Sequence, residues 1–273
     1  MSTPLRRTLC SGLLAVFIAA AAPYDRLYVF GDSYSDTGSG YLDGNGPTAV
    51  AYLAERMGTP LALATDPKSG GKSINFAVSG AQSGSGAGRK VKDALLGYGM
   101  RNQVDDFAAR VKSHDIAFKP ESTLFFLAGG LNDRSLPDGA TAQNLKGEIK
   151  TLYDLGARHF MVALMPTAIP SFSAVGKRLN PELSRIPTEI APEIPGATIA
   201  TSNWGPYFDE VMTDPAKYGI ENTKDKCAGR AIFDEDTTPC AKPDAYYFFH
   251  SGHPSTAVHK AVGEKMYQEL QSR

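Results

Sequence analysis

The chain of 273 residues carries 28 basic and 29 acidic side chains, for a formal net charge of −1, and 42% of it is hydrophobic. That length supports one large domain with its own core, and the composition is that of an ordinary soluble globular protein. The even charge balance supplies no basic face for nucleic acid or for an anionic membrane surface.

In chain order, Arg6 and Arg7 precede an apolar run over residues 13–20, and small residues follow at 19–22. A basic start, an apolar stretch too short to cross a bilayer and a small-residue zone read as a cleaved secretory signal over 1–22, cut near Ala20 to Ala22. Residues 23–273 read as a single domain. Cys10 lies ahead of the apolar run, out of position for lipid attachment. Export leaves Cys227 and Cys240 as an even pair in an oxidising compartment, which predicts a disulfide. In the chain-entropy picture that link is worth roughly 3 kcal/mol.

Residues 27–30 form a short run of β-prone apolar side chains, the pattern of a buried strand. Gly31 breaks it, and Ser33 follows among small, turn-forming residues. A hydroxyl there lies at the carboxyl end of a strand, where open α/β sheets bind ligands, and it becomes a nucleophile if a base can reach it. A Gly/Asn/Pro turn region over 38–47 leads into a helical pattern over 48–57. A second strand is predicted at 73–78, followed by a small-residue active-site loop over 79–88. Residues 101–112 space Val104, Phe107, Ala108 and Val111 helically. A strand over 122–128 ends in Gly129-Gly130-Leu131-Asn132-Asp133; a helix over 141–155 is stopped by Gly156; and a strand over 159–165 is stopped by Pro166.

Between 167 and 196, Pro170, Pro181, Pro187, Pro192 and Pro195 argue against one continuous helix. A last strand at 197–202, a short helix at 206–212, an irregular stretch at 219–245 and a closing helix at 255–270 complete the reading. Strands alternating with helices imply βαβ units and a parallel sheet covered on both faces.

Ser33, Gly80 and Asn132 each follow a predicted strand, and in a parallel sheet those ends open onto one edge. His253-Pro254 precedes the final helix. A histidine near neutral pKa is the usual base for a serine. The backbone amides of Ser33 and Gly80 and the side-chain amide of Asn132 could hold a developing oxyanion.

These residues fall into blocks in order: Gly31-Asp32-Ser33-Tyr34-Ser35-Asp36-Thr37-Gly38, Asn75-Phe76-Ala77-Val78-Ser79-Gly80-Ala81, Gly130-Leu131-Asn132-Asp133 and His253-Pro254. Over nearly the whole exported chain the pattern resembles the SGNH (GDSL) hydrolases, secreted esterases and lipases. Tyr34 stands where the familiar first block has leucine. The resemblance implies a three-layer α/β/α sandwich with a central parallel sheet, the flavodoxin-like fold. It also implies Ser33 as nucleophile, His253 as base, and an oxyanion hole of Ser33, Gly80 and Asn132. No cofactor or metal is implied. The expected partner is a small-molecule, lipid or carbohydrate ester, with neither nucleic acid nor stable membrane insertion.

One departure is pointed. The last block usually reads Asp-x-x-His-Pro, whereas here His250 holds the aspartate's place. A neutral imidazole can accept a bond from the base, but it cannot match a carboxylate in supporting an imidazolium. A backbone carbonyl could orient His253 instead; another carboxylate (Asp234, Asp236 or Asp244) or a bound anion could substitute; or the chain could bind ligands without turning them over. His250, His253 and His259 do not have the spacing of a zinc site. Gly84, Gly86 and Gly88 lack the lysine and hydroxyl of a phosphate loop. Trp204 and the aromatics at 246–249 suit either a substrate pocket or the core.

Overall fold

A computed structural model of the chain describes residues 24–273, so the secretory segment read at 1–22 lies outside the described residues. Strand β1 (Arg26–Gly31) buries Leu27, Tyr28, Val29 and Phe30 completely, as an unbroken apolar run in a parallel strand requires. Beyond the turn that carries Ser33 come helix α1 (Ala49–Arg56), the short strands β2 (Leu61–Leu63) and β3 (Ser73–Asn75), and strands β4 (Ala87–Val91) and β5 (Ala94–Tyr98). Helix α2 (Met100–Lys112), strand β6 (Thr123–Ala128), helix α3 (Ala140–Asp154) and strand β7 (His159–Ala163) follow. Helices α4 (Ser173–Leu183) and α5 (Ile186–Ile190), strand β8 (Thr198–Ser202) and helix α6 (Trp204–Thr213) come next. The chain closes with strands β9 (Asn222–Lys226), β10 (Tyr246–His250) and β11 (His253–Pro254) and helix α7 (Thr256–Gln271).

The expected parallel sheet is present, six strands in the order β2-β3-β1-β6-β7-β8. Helix α7 packs on α1 and α6, while α2 packs on α3 and α3 on α4 and α5. The β1 side chains meet the layers in an aromatic cluster: Phe30 stacks on Phe76, and the other contacts among Tyr28, Phe30, Phe76, Phe107 and Phe125 are edge-on or tilted, all within about 6 Å. Register places Gly31 beside Ala128, so the turns after β1 and β6 leave the sheet side by side. Gly31 permits that approach, since a Cβ there would lie 3.0 Å from the Ala128 carbonyl oxygen.

Some elements differ from expectation. The strand read at 73–78 stops at Asn75, whose side-chain Oδ1 takes the Ala77 N–H at 3.0 Å and turns the chain. The glycine-rich stretch after Ser79 is hydrogen-bonded, not loose. Gly97 N donates to the Ser79 carbonyl at 2.8 Å, and residues 87–98 form the antiparallel β4–β5 hairpin. The proline-rich stretch divides into α4 and α5. Helix α4 carries Pro181 in its last turn, where the adjacent Asn180 clamps both the N–H and the carbonyl of Met165, at 2.7 and 2.9 Å. Tertiary contact there outweighs intrinsic propensity.

Candidate active site

The turn after β1 is fixed by side chains that serve its backbone. Gln103 accepts from Gly31 N at 3.0 Å and donates to Gly31 O at 2.9 Å. Ser35 N and Asp36 N both donate to the Asp32 carbonyl, a helical turn directly after the strand. Asp36 accepts from the backbone N–H groups of Gly38, Gly40, Tyr41 and Ser79, which ties the Ser33 turn to the Gly80 loop. Burial raises the Asp36 pKa, and those bonds oppose the rise. Asp32 is fully buried, with one carboxylate oxygen unpartnered, and burial pushes its pKa to about 7.

Gly80 sits at φ +79°, a left-handed conformation that side chains resist. Asn132 is held by its Nδ2 donating to Ala81 O at 2.9 Å and by Gln82 donating to its carbonyl at 3.1 Å. Asp133 accepts from Ser83 N and the Thr141 hydroxyl, so the Asn132 turn is anchored from below. Ser33, Gly80, Asn132 and His253 border one cleft of about 520 Å³.

The histidine arrives from the opposite end of the chain. Strands β10 and β11 pair His250 with His253 across a turn at Gly252, whose φ is +71°. The Tyr34 hydroxyl donates to the Gly252 carbonyl at 2.8 Å, and its ring lies 5.5 Å from that of His253. Phe172, Trp204 and Phe208 enclose Tyr34, so Trp204 belongs to the core, while Phe248 borders a cleft. His253 Nε2 lies 2.7 Å from Ser33 Oγ, across 220 residues of sequence.

The His250 ring does not bond to the His253 ring. Its Nδ1 meets Asp43 Oδ1 at 2.7 Å. Asp43 is the carboxylate that sequence reasoning missed: its Oδ2 lies 3.3 Å from His253 Nε2, and Arg230 Nε donates to both its oxygens at 2.8 and 3.0 Å. Burial raises the Asp43 pKa, but the bonds from His250 and Arg230 and the nearby His253 outweigh it and hold the carboxyl below its usual range. Asp234 pairs with Lys92 instead, Asp236 caps Thr238 N, and Asp244 lies in a short 3-10 turn. Asp43 comes from the turn region at 38–47, where nothing in the spacing marks it.

His253 Nδ1 faces the Ser251 carbonyl at 3.2 Å and Arg230 Nη2 at 2.7 Å. Burial lowers the His253 pKa, Asp43 raises it, and Arg230 lowers it again. His259 is elsewhere: it is buried, accepts from Ala49 N at the start of α1, and is pushed by burial to about 3. Among the described residues no group of three or more His, Cys, Asp or Glu is arranged to hold a metal. The predicted Cys227–Cys240 disulfide is present and encloses Arg230 within its loop.

With this geometry in hand, comparison with known proteins identifies the family. The profile described as GDSL-like lipase/acylhydrolase matches residues 27–266. The chain belongs to this family. Thermolabile hemolysin of Vibrio parahaemolyticus is 27% identical over 89% of this chain and 63% of that protein. The anther-specific proline-rich protein APG of Arabidopsis thaliana is 23% identical over 82% of this chain and 53% of that one. This GDSL-family chain thus spans little more than half to under two thirds of the length of those relatives. The crystal structure of protein YXIM from Bacillus subtilis shares the fold, with a TM-score of 0.51 at 15% identity, covering 91% of this chain and 56% of that one.

In this family member a second cleft, of about 860 Å³, meets the first at Ser33, Asn132 and His253, and is walled by Arg134, Phe172, Lys224 and Phe248. Two clefts converging on one hydroxyl give the two halves of a cleavable molecule separate places.

Proposed function

We propose that this chain is a secreted serine esterase that cleaves carboxylic esters through an acyl-enzyme on Ser33. The observation that carries the reading is the 2.7 Å approach of His253 Nε2 to Ser33 Oγ, within a cleft bordered by Gly80 and Asn132. Ser33 Oγ attacks the ester carbonyl carbon while His253 Nε2 takes the hydroxyl proton. The carbonyl oxygen becomes an oxyanion that accepts from the Ser33 and Gly80 amides and the Asn132 side chain. Collapse breaks the bond to the alcohol oxygen, which leaves with the proton from Nε2. Water then attacks the acyl-enzyme by the same route, giving the free acid and regenerating Ser33.

For Nε2 to act as acceptor, the ring proton must sit on Nδ1, where the Ser251 carbonyl can receive it at 3.2 Å. Asp43 Oδ2, 3.3 Å from Nε2, supports the imidazolium once it forms. A backbone carbonyl and an out-of-line carboxylate thus share the task usually given to one aspartate. Short acyl esters, acetylated carbohydrate, choline esters and lysophospholipids are the candidate substrates.

Hydrolysis of a chromogenic short-chain ester, run beside Ser33→Ala, tests the reading. The variant is expected to lose at least about 1,000-fold in kcat, and equal rates from both proteins would sink the proposal. Export with cleavage near Ala20 to Ala22 is tested by sequencing the amino terminus of protein recovered outside the cytoplasm; an intact start at Met1 would refute it.

A further inference from the structure

Arg230 stands against the histidine in a way that ester hydrolysis cannot use. Its Nη2 lies 2.7 Å from His253 Nδ1 and 2.6 Å from the Ser251 carbonyl oxygen. A guanidinium only donates, so at that distance Nδ1 must accept. The single proton of the neutral ring therefore sits on Nε2, which donates toward Ser33 Oγ at 2.7 Å and Asp43 Oδ2 at 3.3 Å. In this tautomer no lone pair faces the Ser33 hydroxyl. Full protonation of the ring would bring two cations together at the same Nη2–Nδ1 contact. The working tautomer, with Nδ1–H on the Ser251 carbonyl, requires Arg230 Nη2 to leave.

The cleft itself indicates what would draw it away. Arg230 borders the cleft that holds Ser33 and Gly80, and so does Arg89 on β4. Arg89 is exposed, and its side chain makes no hydrogen bond or ion pair among the described residues. Asp43, the acidic side chain lining this cleft, is already engaged by Arg230 and His250. One guanidinium charge is thus left without a counter-charge, and a guanidinium fork fits a carboxylate or a phosphate in two-point contact.

We propose that Arg230 is a positioning residue that couples the His253 tautomer to the charge of the substrate. An anionic oxygen group on the ester draws Nη2 from Nδ1, and the protein therefore turns over anionic esters in preference to neutral ones. The inference rests on the ester-hydrolase reading above and names its substrate class. The tautomer change is balanced: Nε2 gives a proton to water and Nδ1 takes one from water. The anion shifts the equilibrium only by its differential affinity for the two arrangements, and coupling of this kind commonly amounts to about 5- to 150-fold.

The test compares 4-nitrophenyl butyrate, 4-nitrophenyl hemisuccinate and a phosphate-bearing acyl analogue of the same length, on the full chain and on Arg230→Met. The unsubstituted protein is expected to favour at least one anionic ester by about tenfold or more in kcat/KM, the two anionic arms showing whether carboxylate or phosphate is preferred. Arg230→Met is expected to raise kcat on the butyrate, abolish the preference and move the acid limb of the pH profile upward, since a repelling cation is gone. Nitrogen-15 NMR of labelled histidine should report Nε2–H in the free protein and Nδ1–H in the variant. Should Arg230→Met melt early, Arg230→Gln carries the same comparison. An unchanged tautomer and pH limb, or no preference for either anion, overturns the proposal. Ser33→Ala separates the two readings: Ser33-dependent hydrolysis without charge preference refutes this inference alone, whereas hydrolysis that survives Ser33→Ala refutes the esterase.

Discussion

The two halves of the Ser33–His253 pair are built in opposite ways. The serine rides on the central sheet, at the end of a strand with Tyr28, Val29 and Phe30 wholly buried, in a turn whose backbone groups are held by Gln103, Asp32 and Asp36. The histidine rides on a small separate sheet of β11, β10 and β9, beside the disulfide loop and its charged surface. Hydrogen bonds and ion pairs from side chains tie the second part to the first, among them Tyr34 to Gly252, Asp43 to Arg230 and His250, Tyr247 to Phe208, Lys92 to Asp234 and Asn45 to Thr256. The proposed nucleophile is thus held by the backbone-serving side chains of one sheet, and the proposed base by side-chain ties between two sheets, where local opening would separate the pair.

The comparison can be broken most severely at the base. His253→Ala should cost at least about 1,000-fold in kcat, measured on the same chromogenic ester, while the melting temperature stays close to that of the unsubstituted chain. On the serine side, Asn132→Ala removes one of the proposed oxyanion donors and is expected to cost about 100-fold in kcat with little change in KM. A loss confined to KM would show that Asn132 only binds substrate.

Tyr34→Phe probes the tether. Deleting the hydroxyl breaks the 2.8 Å bond to Gly252, and the expected result is about 1 kcal/mol of lost stability with a several-fold drop in kcat. If stability falls while kcat holds, the tether does not position His253. The smallest effect on turnover should come from Asp32→Asn, whose signature is in stability. Burial raises the folded-state pKa of Asp32 to about 7, above its unfolded value. The stability this carboxyl contributes is fully present below the unfolded pKa and is lost as pH rises through about 7. Thermal melts should therefore show Asp32→Asn gaining on the unsubstituted chain between pH 5 and pH 8; parallel curves would contradict the assignment.

The same division decides what could be read from the sequence. Ser33, Gly80 and Asn132 were legible because each follows its strand within a few residues, and a parallel sheet brings such ends together. Local chemistry carried that information. Asp43 and Arg230 were not legible: they lie 187 residues apart and meet only in the folded chain. His250 drew attention through its place in the final block, yet its partner is Asp43, not His253. The β4–β5 hairpin was hidden by glycines at 84, 86, 88, 97 and 99, which read as loop. Close approaches explain several of them: a Cβ on Gly99 would lie 2.2 Å from the Gly84 carbonyl.

The span of 220 positions between hydroxyl and imidazole has a temporal side. Closing so long a loop is slow compared with local events, so contact between ring and hydroxyl is expected late in folding. A nascent chain still lacking its last segments would carry Ser33 without the imidazole that faces it. Regain of turnover after dilution from denaturant should therefore lag behind regain of helical signal, making enzymatic output a clock for the final docking step.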